Sequence, residues 1–140
     1  MQMKNLMIGT VVFTLSFSMQ AGKTETMATG ALPPAATKTG VTYAADIQPI
    51  FEHSCVKCHS NDKPKAKLVL TNLAGVLKGS KNGPVVIVGR SPDSLIVKAV
   101  AHLTEDKDIF MPPPHNKAHI GPLTPEQIGL VRAWIDQGAK

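Results

Sequence analysis

Hydrophobic residues recur at helical spacing near the C-terminus of this chain. The apolar stripe consists of Ile128, Leu130, Val131, Trp134 and Ile135. Its period is that of an amphipathic helix with one face turned to a core. Thr124 and Gln127 have the spacing of a capping box, and Gly138 is a typical residue at which a helix ends. The pattern therefore predicts a terminal helix between these signals.

A second apolar pattern lies in the segment from Thr42 to Ser54. Its apolar positions are Ile47, Ile50 and Phe51, at i, i+3 and i+4. Thr42 is a suitable N-cap, since its hydroxyl accepts a bond from an early helical amide. Pro49 has no amide hydrogen, so we expect the helix to kink there or to begin afresh close to it.

The sequence between these two segments predicts shorter elements. Residues 68–70 have an extended pattern, and residues 73–77 form a short helix ended by Gly79. Residues 85–88 have strand propensity but no obvious partner except residues 68–70. Residues 91–102 begin with a serine, a proline and an aspartate, so a helix capped by the Ser91 hydroxyl is expected. The fold class predicted is all-α, with at most a minor pair of short strands.

The N-terminal part has a different composition. Lys4 precedes an uncharged apolar run of 14 residues, from Leu6 to Met19. Because a bilayer-spanning helix needs about 20 residues, this run favours a secretory signal peptide over residues 1–21. Residues 22–40 are rich in Thr, Ala, Gly and Pro without periodicity, which predicts a flexible linker. One folded domain is then expected over residues 41–140.

The composition is globular, with 43% hydrophobic and 18% charged residues, but only 4% of the residues are aromatic. A core of this size usually contains several large rings. The scarcity suggests that a cofactor fills part of the interior.

The residues Cys55, Cys58 and His59 form a C-x-x-C-H motif. Two thiols at this spacing add to the two vinyl groups of a porphyrin, and the adjoining imidazole ligates its iron. The chain has no other cysteine, which excludes a disulfide framework. A thioredoxin-like pair would need a βαβ context, and structural zinc would need a second ligand pair. The motif therefore predicts one covalently attached haem c.

The second axial ligand is predicted to be Met111. It stands 52 residues after His59 and is followed by three prolines, which stiffen its loop. The other five methionines precede residue 28. His102, His115 and His119 compete with Met111, and ligation by a second histidine would lower the redox potential.

Charge is unevenly distributed along the chain. The net charge is +5, and residues 57–81 alone carry six lysines against one aspartate. Such a cluster steers an acidic redox partner toward the haem edge, or it is simply a solvated surface. No base-stacking aromatic residues interleave with the lysines, which argues against nucleic acid as a partner.

From Tyr43 to Ala139 the chain resembles class I cytochromes c, and among them the small planctomycete-type cytochrome c domains. The matching stretches are residues 46–59, Gly83-Pro84, residues 88–100, Met111-Pro112-Pro113 and residues 123–139. The resemblance implies an all-helical fold in which the N- and C-terminal helices cross. It also implies that His59 and Met111 bind the iron from its two sides.

The function expected is that of a periplasmic or secreted single-haem electron carrier. Such a carrier is not an enzyme and binds no small-molecule substrate; it contacts a membrane only if the leader segment is retained. Two alternatives stay open: a haem enzyme or gas sensor with a labile sixth ligand, and a haem subunit of a larger oxidoreductase.

Overall fold

The computed structural model describes residues 30–140. The predicted signal peptide and residues 22–29 of the predicted linker lie outside the described residues. The four α-helices of the described part are α1 (Gln48–Ser54), α2 (Leu73–Lys78), α3 (Leu95–Val100) and α4 (Pro125–Asp136). The described residues form no strand, and their β-pairing is a single bridge between Ser80 and Gly83. The all-α prediction is confirmed.

The entry segment starts with a π-helical turn, Tyr43–Ile47, which leads directly into α1. The Thr42 hydroxyl accepts a hydrogen bond from the amide of Ala45 at 3.3 Å, as expected for an N-cap. Pro49 lies in the first turn of α1, where an amide hydrogen is not required. The helix therefore begins afresh at the proline, one of the two outcomes expected.

Helix α4 packs against this entry segment through aromatic rings. The Tyr43 ring lies 6.1 Å from Phe51 and 5.8 Å from Trp134, measured between centroids. Phe51 and Trp134 are fully buried. The last residue bonds to the same cluster. The Lys140 carbonyl accepts hydrogen bonds from the Tyr43 amide at 2.7 Å and from the Trp134 indole at 3.0 Å. The two ends of the domain are thereby joined.

The expected helix over residues 91–102 is divided in two. A 3-10 turn, Ser91–Asp93, is separated from α3 by Ser94, which has an extended backbone. The prediction that the Ser91 hydroxyl caps a helix is wrong: this buried hydroxyl donates to the Asp136 carboxylate in α4 at 2.8 Å. The Ser94 hydroxyl does not cap α3 either, since it accepts a hydrogen bond from the Ile87 amide at 2.8 Å. Contacts distant in the sequence therefore decide where α3 begins.

Residues 30–40, the described part of the predicted linker, run along α4 and are called the strap below. The Ala36 amide donates to the Gly129 carbonyl at 2.9 Å, and the Gln137 side chain donates to the Lys38 carbonyl at 2.7 Å. The Arg132 guanidinium donates to the carbonyl of Pro33, which is itself buried. This part of the chain packs on the domain, in contrast to the flexible linker expected.

Within residues 30–140, no helix has the length and apolar character needed to cross a membrane.

Gly129 allows the strap to approach α4. A Cβ at this position would lie 2.7 Å from the carbonyl oxygen of Pro34, closer than such atoms normally come. We expect Gly129→Ala to lower the free energy of unfolding of the haem-loaded protein by about 1–3 kcal/mol, because the strap must move away. Chemical denaturation measures this change.

Gly121→Ala is the matched control for this variant, since a Cβ there meets nothing within 4 Å. Equal stability of the two variants would show that the strap contributes no packing energy.

Candidate haem site

The C-x-x-C-H motif lies at the C-terminal end of α1. The Cys55 amide donates to the Phe51 carbonyl at 2.7 Å and thus extends the helical pattern by one residue. The amides of Cys58 and His59 then both donate to the Cys55 carbonyl at 3.1 Å. The chain turns back on itself, so both cysteines and His59 line one cavity. The two thiols form no disulfide.

The two thiols differ in their surroundings. Cys55 is buried and Cys58 is half-buried. Burial, and secondarily the neighbouring Cys58, raises the pKa of the Cys55 thiol to about 12. Burial therefore favours the neutral form of this thiol.

His59 is held in an orientation suited to ligation. Its Nδ1 lies 3.2 Å from the carbonyl oxygen of Leu68. Because a carbonyl only accepts, Nδ1 must carry the hydrogen, which leaves the lone pair of Nε2 free for a metal. Burial, the largest cause, lowers the pKa of His59, although the bond to Leu68 opposes this shift. The neutral imidazole that iron requires is thus favoured.

The segment Leu68–Leu70 is itself anchored on both sides. The Leu70 amide donates to the His59 carbonyl at 2.9 Å. The Leu70 carbonyl accepts the Tyr43 hydroxyl at 2.7 Å. His59 is therefore connected through this segment to the aromatic core.

Met111 lines the same cavity as Cys55, Cys58 and His59. Its amide donates to the carbonyl of Ala99 in α3 at 3.0 Å, which fixes the loop against that helix. The neighbouring Pro112 is buried and also lines the cavity. The fold thus brings the four residues singled out in the sequence to one place.

The three competing histidines lie elsewhere. The His102 ring stacks on Phe110 and is not among the residues that line the cavity. His115 and His119 are exposed; they line a neighbouring pocket, which shares Asn116 and Ile120 with the cavity, but they do not line the cavity itself. Among the described residues, His59 and Met111 are the histidine and the methionine that face the cavity.

The walls of the cavity are apolar. They are formed largely by aliphatic side chains: Leu68, Leu70, Val85, Leu95, Ile96, Ala99 and Val100. Of residues 85–88, which form no strand, Val85 contributes to these walls. An apolar cavity that also presents two thiols, an imidazole and a thioether fits a covalently attached haem by its chemistry.

Several lining residues come from loops that the sequence analysis did not assign to the site. Ile109, Asn116 and Ile120 reach the cavity from the stretch around Met111. Asn116 closes this loop, because its side chain donates to the carbonyls of Pro113 and Ile120, both at 2.8 Å. No periodic pattern identifies such residues, since the loop follows side-chain hydrogen bonds.

The exposed lining residues mark the mouth of the cavity, and they include Lys65, Asn82 and Asp108. The Lys81 amide donates to the Ala66 carbonyl at 2.7 Å, which joins the turn of Lys81 to that of Lys65. Two parts of the lysine cluster therefore meet at this rim. Asp108 adds a negative charge that the sequence analysis did not place there.

An all-helical fold whose cavity contains a C-x-x-C-H motif and a loop methionine is that of a small cytochrome c. Residues 55–115 match the family model described as Planctomycete cytochrome C. This match supports a planctomycete-type cytochrome c domain, and with it a haem c protein, and so confirms the family resemblance. The match covers the stretch from the first cysteine to just past Met111. No curated protein and no solved structure matches the chain.

The Tyr43 hydroxyl provides a test of the link between core and site. Burial, followed by the charge of Glu52, raises the pKa of Tyr43 to about 12. The folded protein keeps this proton while the unfolded chain, with a pKa near 10, releases it. The raised pKa of Tyr43 therefore contributes its full share of the unfolding free energy below about pH 10, and this share is lost between about pH 10 and 12.

We expect Tyr43→Phe to be about 1 kcal/mol less stable than the wild type at pH 8, through loss of one buried hydrogen bond. As pH rises from 10 to 12, the wild type should lose about 2–3 kcal/mol relative to the variant. The two curves of unfolding free energy against pH should then cross. Parallel curves would show that the hydroxyl titrates as it does in solvent.

Proposed function

We propose that this protein is an exported cytochrome with one haem c, which carries single electrons between redox partners and is not itself an enzyme. In this proposal the haem is attached to Cys55 and Cys58 and ligated by His59 and Met111. The observation that carries it is that these four side chains line one apolar cavity, whereas the other four histidines of the domain do not.

The haem, when bound, supplies an iron centre that gains or loses one electron. The residues of the chain define its surroundings. The thioethers of Cys55 and Cys58 retain the cofactor, and the Leu68 carbonyl orients His59. Met111 completes the coordination and thereby leaves no open position for a substrate.

The aliphatic walls of the cavity also suit electron transfer. They keep water from most of the cofactor and hold both ligands in place, so that little reorganises when the charge changes. This arrangement suits a carrier better than a catalyst, which needs an accessible iron.

The lysines at the mouth support an acidic redox protein as the partner. Lys65 lines the mouth, Lys81 donates the hydrogen bond that joins the two turns, and Lys67 follows its acceptor, Ala66, in the chain. Positive charge at this rim attracts an acidic surface to the place where the cofactor edge is reached.

Export is supported by the sequence alone, through the apolar run at residues 6–19 behind Lys4. Covalent haem attachment takes place outside the cytoplasm in this proposal, and the mature protein functions in the periplasm or is secreted. Contact with a membrane occurs only if this leader is kept.

Replacement of the sixth ligand tests the proposed coordination. We expect the ferric haem-loaded protein to show the weak absorbance band of a sulfur-to-iron bond at the red end of the spectrum, and Met111→Ala to abolish it. The reduced variant should bind carbon monoxide, because a position on the iron is now open, whereas the reduced wild type should not. His115→Ala, which alters an exposed histidine outside the cavity, should leave both properties unchanged.

Carbon monoxide binding to the reduced wild type would favour the alternative of a haem enzyme or gas sensor with a labile ligand. A wild-type spectrum without the band would exclude Met111 as the ferric ligand.

Charge reversal at the mouth tests the steering proposal. The probe is hexacyanoferrate(III), a small anionic oxidant, mixed with reduced protein. We expect Lys65→Glu to slow oxidation about fivefold at roughly 0.01 M ionic strength, where charges act over about 30 Å, and much less at about 0.15 M. Stopped-flow absorbance measures the rate.

Lys140→Glu is the matched control, since Lys140 is also exposed and its carbonyl lies at the aromatic core, away from the residues of the mouth. It should change the rate little. Equal effects of the two variants would mean that net charge, and not the rim, governs the approach of an anion.

A further inference from the structure

His102 has two unusual features. Among the described residues, its Nε2 is the buried side-chain polar atom that lacks a hydrogen-bond partner. Its backbone is left-handed, with φ of +56°, which is uncommon for residues other than glycine. A buried polar atom without a partner lowers stability, so the stability of the fold does not by itself account for this residue.

The imidazole is placed directly against the residue that precedes Met111. The rings of His102 and Phe110 are stacked, with centroids 4.6 Å apart and an angle of 4° between their planes. Such a parallel contact restricts the rotation of both rings. It therefore restricts the backbone of Phe110, to which Met111 is bonded.

His102 and Met111 also share an anchor. The Ala99 carbonyl, at the end of α3, accepts the His102 amide at 3.2 Å and the Met111 amide at 3.0 Å. The chain thus leaves α3 at His102 and returns to the same carbonyl at Met111. The stacked rings of His102 and Phe110 add a side-chain contact between the two ends of this loop.

We infer that His102 is a positioning residue for Met111: its ring, stacked on Phe110, holds the methionine where its sulfur reaches the iron. This inference rests on the proposed function, in which Met111 is the sixth ligand. His102 is not itself the ligand in this arrangement, since it does not line the cavity.

The alternative is that the stack contributes only packing. In that case its removal lowers the unfolding temperature but leaves the iron–sulfur bond unchanged while the protein is folded. Ligation and stability are therefore measured separately.

The experiment uses the full haem-loaded protein and a double-mutant cycle. His102→Asn removes the ring and suits the left-handed backbone, because asparagine adopts this conformation readily. Phe110→Leu removes the other ring of the stack, and Phe110→Tyr retains it. His115→Asn is the control, since it changes an exposed histidine that does not line the cavity.

Imidazole is titrated into each ferric protein, well below its unfolding temperature, to compete with Met111 for the iron. His102→Asn and Phe110→Leu should each raise the imidazole affinity about three- to tenfold and weaken the sulfur-to-iron band. The double variant should gain no more than the larger single effect, because both changes remove one contact. Phe110→Tyr and His115→Asn should remain within about twofold of the wild type.

Wild-type affinity and an unaltered band in both His102→Asn and Phe110→Leu would overturn the inference, even if both variants unfold at lower temperature. Additive effects in the double variant would also overturn it. If Met111→Ala has the same spectrum and imidazole affinity as the wild type, the proposed coordination is wrong and the inference falls with it. Failure of the inference alone leaves the difference between Met111→Ala and the wild type intact.

Discussion

The short extended segment Leu68–Leu70 is the constraint on which the site depends. The Leu68 carbonyl orients the His59 imidazole. The Leu70 amide donates to the His59 carbonyl, and the Leu70 carbonyl accepts a hydrogen bond from the Tyr43 hydroxyl. All three hydrogen bonds use backbone atoms of this segment, so they require the path of the chain and not particular side chains at 68 and 70. The histidine is thereby fixed from two directions before any cofactor is considered.

This segment also separates two apolar regions of different composition. On one side is the aromatic cluster of Tyr43, Phe51 and Trp134, which joins the two ends of the domain. On the other side is the cavity, whose walls are aliphatic and contain none of these three rings. Three of the four aromatic residues of the described part are therefore concentrated where helices meet. The region left to aliphatic side chains is the one that presents the thiols, the imidazole and the thioether.

The two proposed ligands are held by different means. His59 follows a helix, and a carbonyl fixes its ring directly. Met111 stands in a loop whose restraints are the Ala99 carbonyl, the neighbouring prolines and the hydrogen bonds of Asn116. The position of the methionine thus depends on several weaker contacts beyond its own side chain. In the inference above, His102, which does not line the cavity, acts on Met111 through such a contact.

The sequence by itself determined the cofactor chemistry, the all-α class and the ends of the capped helices. These follow from local rules: the spacing of Cys55, Cys58 and His59, the capping box at Thr124 and the glycine after α2 act within a few residues. Only the tertiary structure decided that Ser91 bonds to Asp136, that the strap packs on Gly129, and that Leu68 orients His59. Each of these contacts joins residues of separate elements through backbone or buried polar atoms. Such atoms must find partners once water is excluded, and which partner is near depends on how the helices pack.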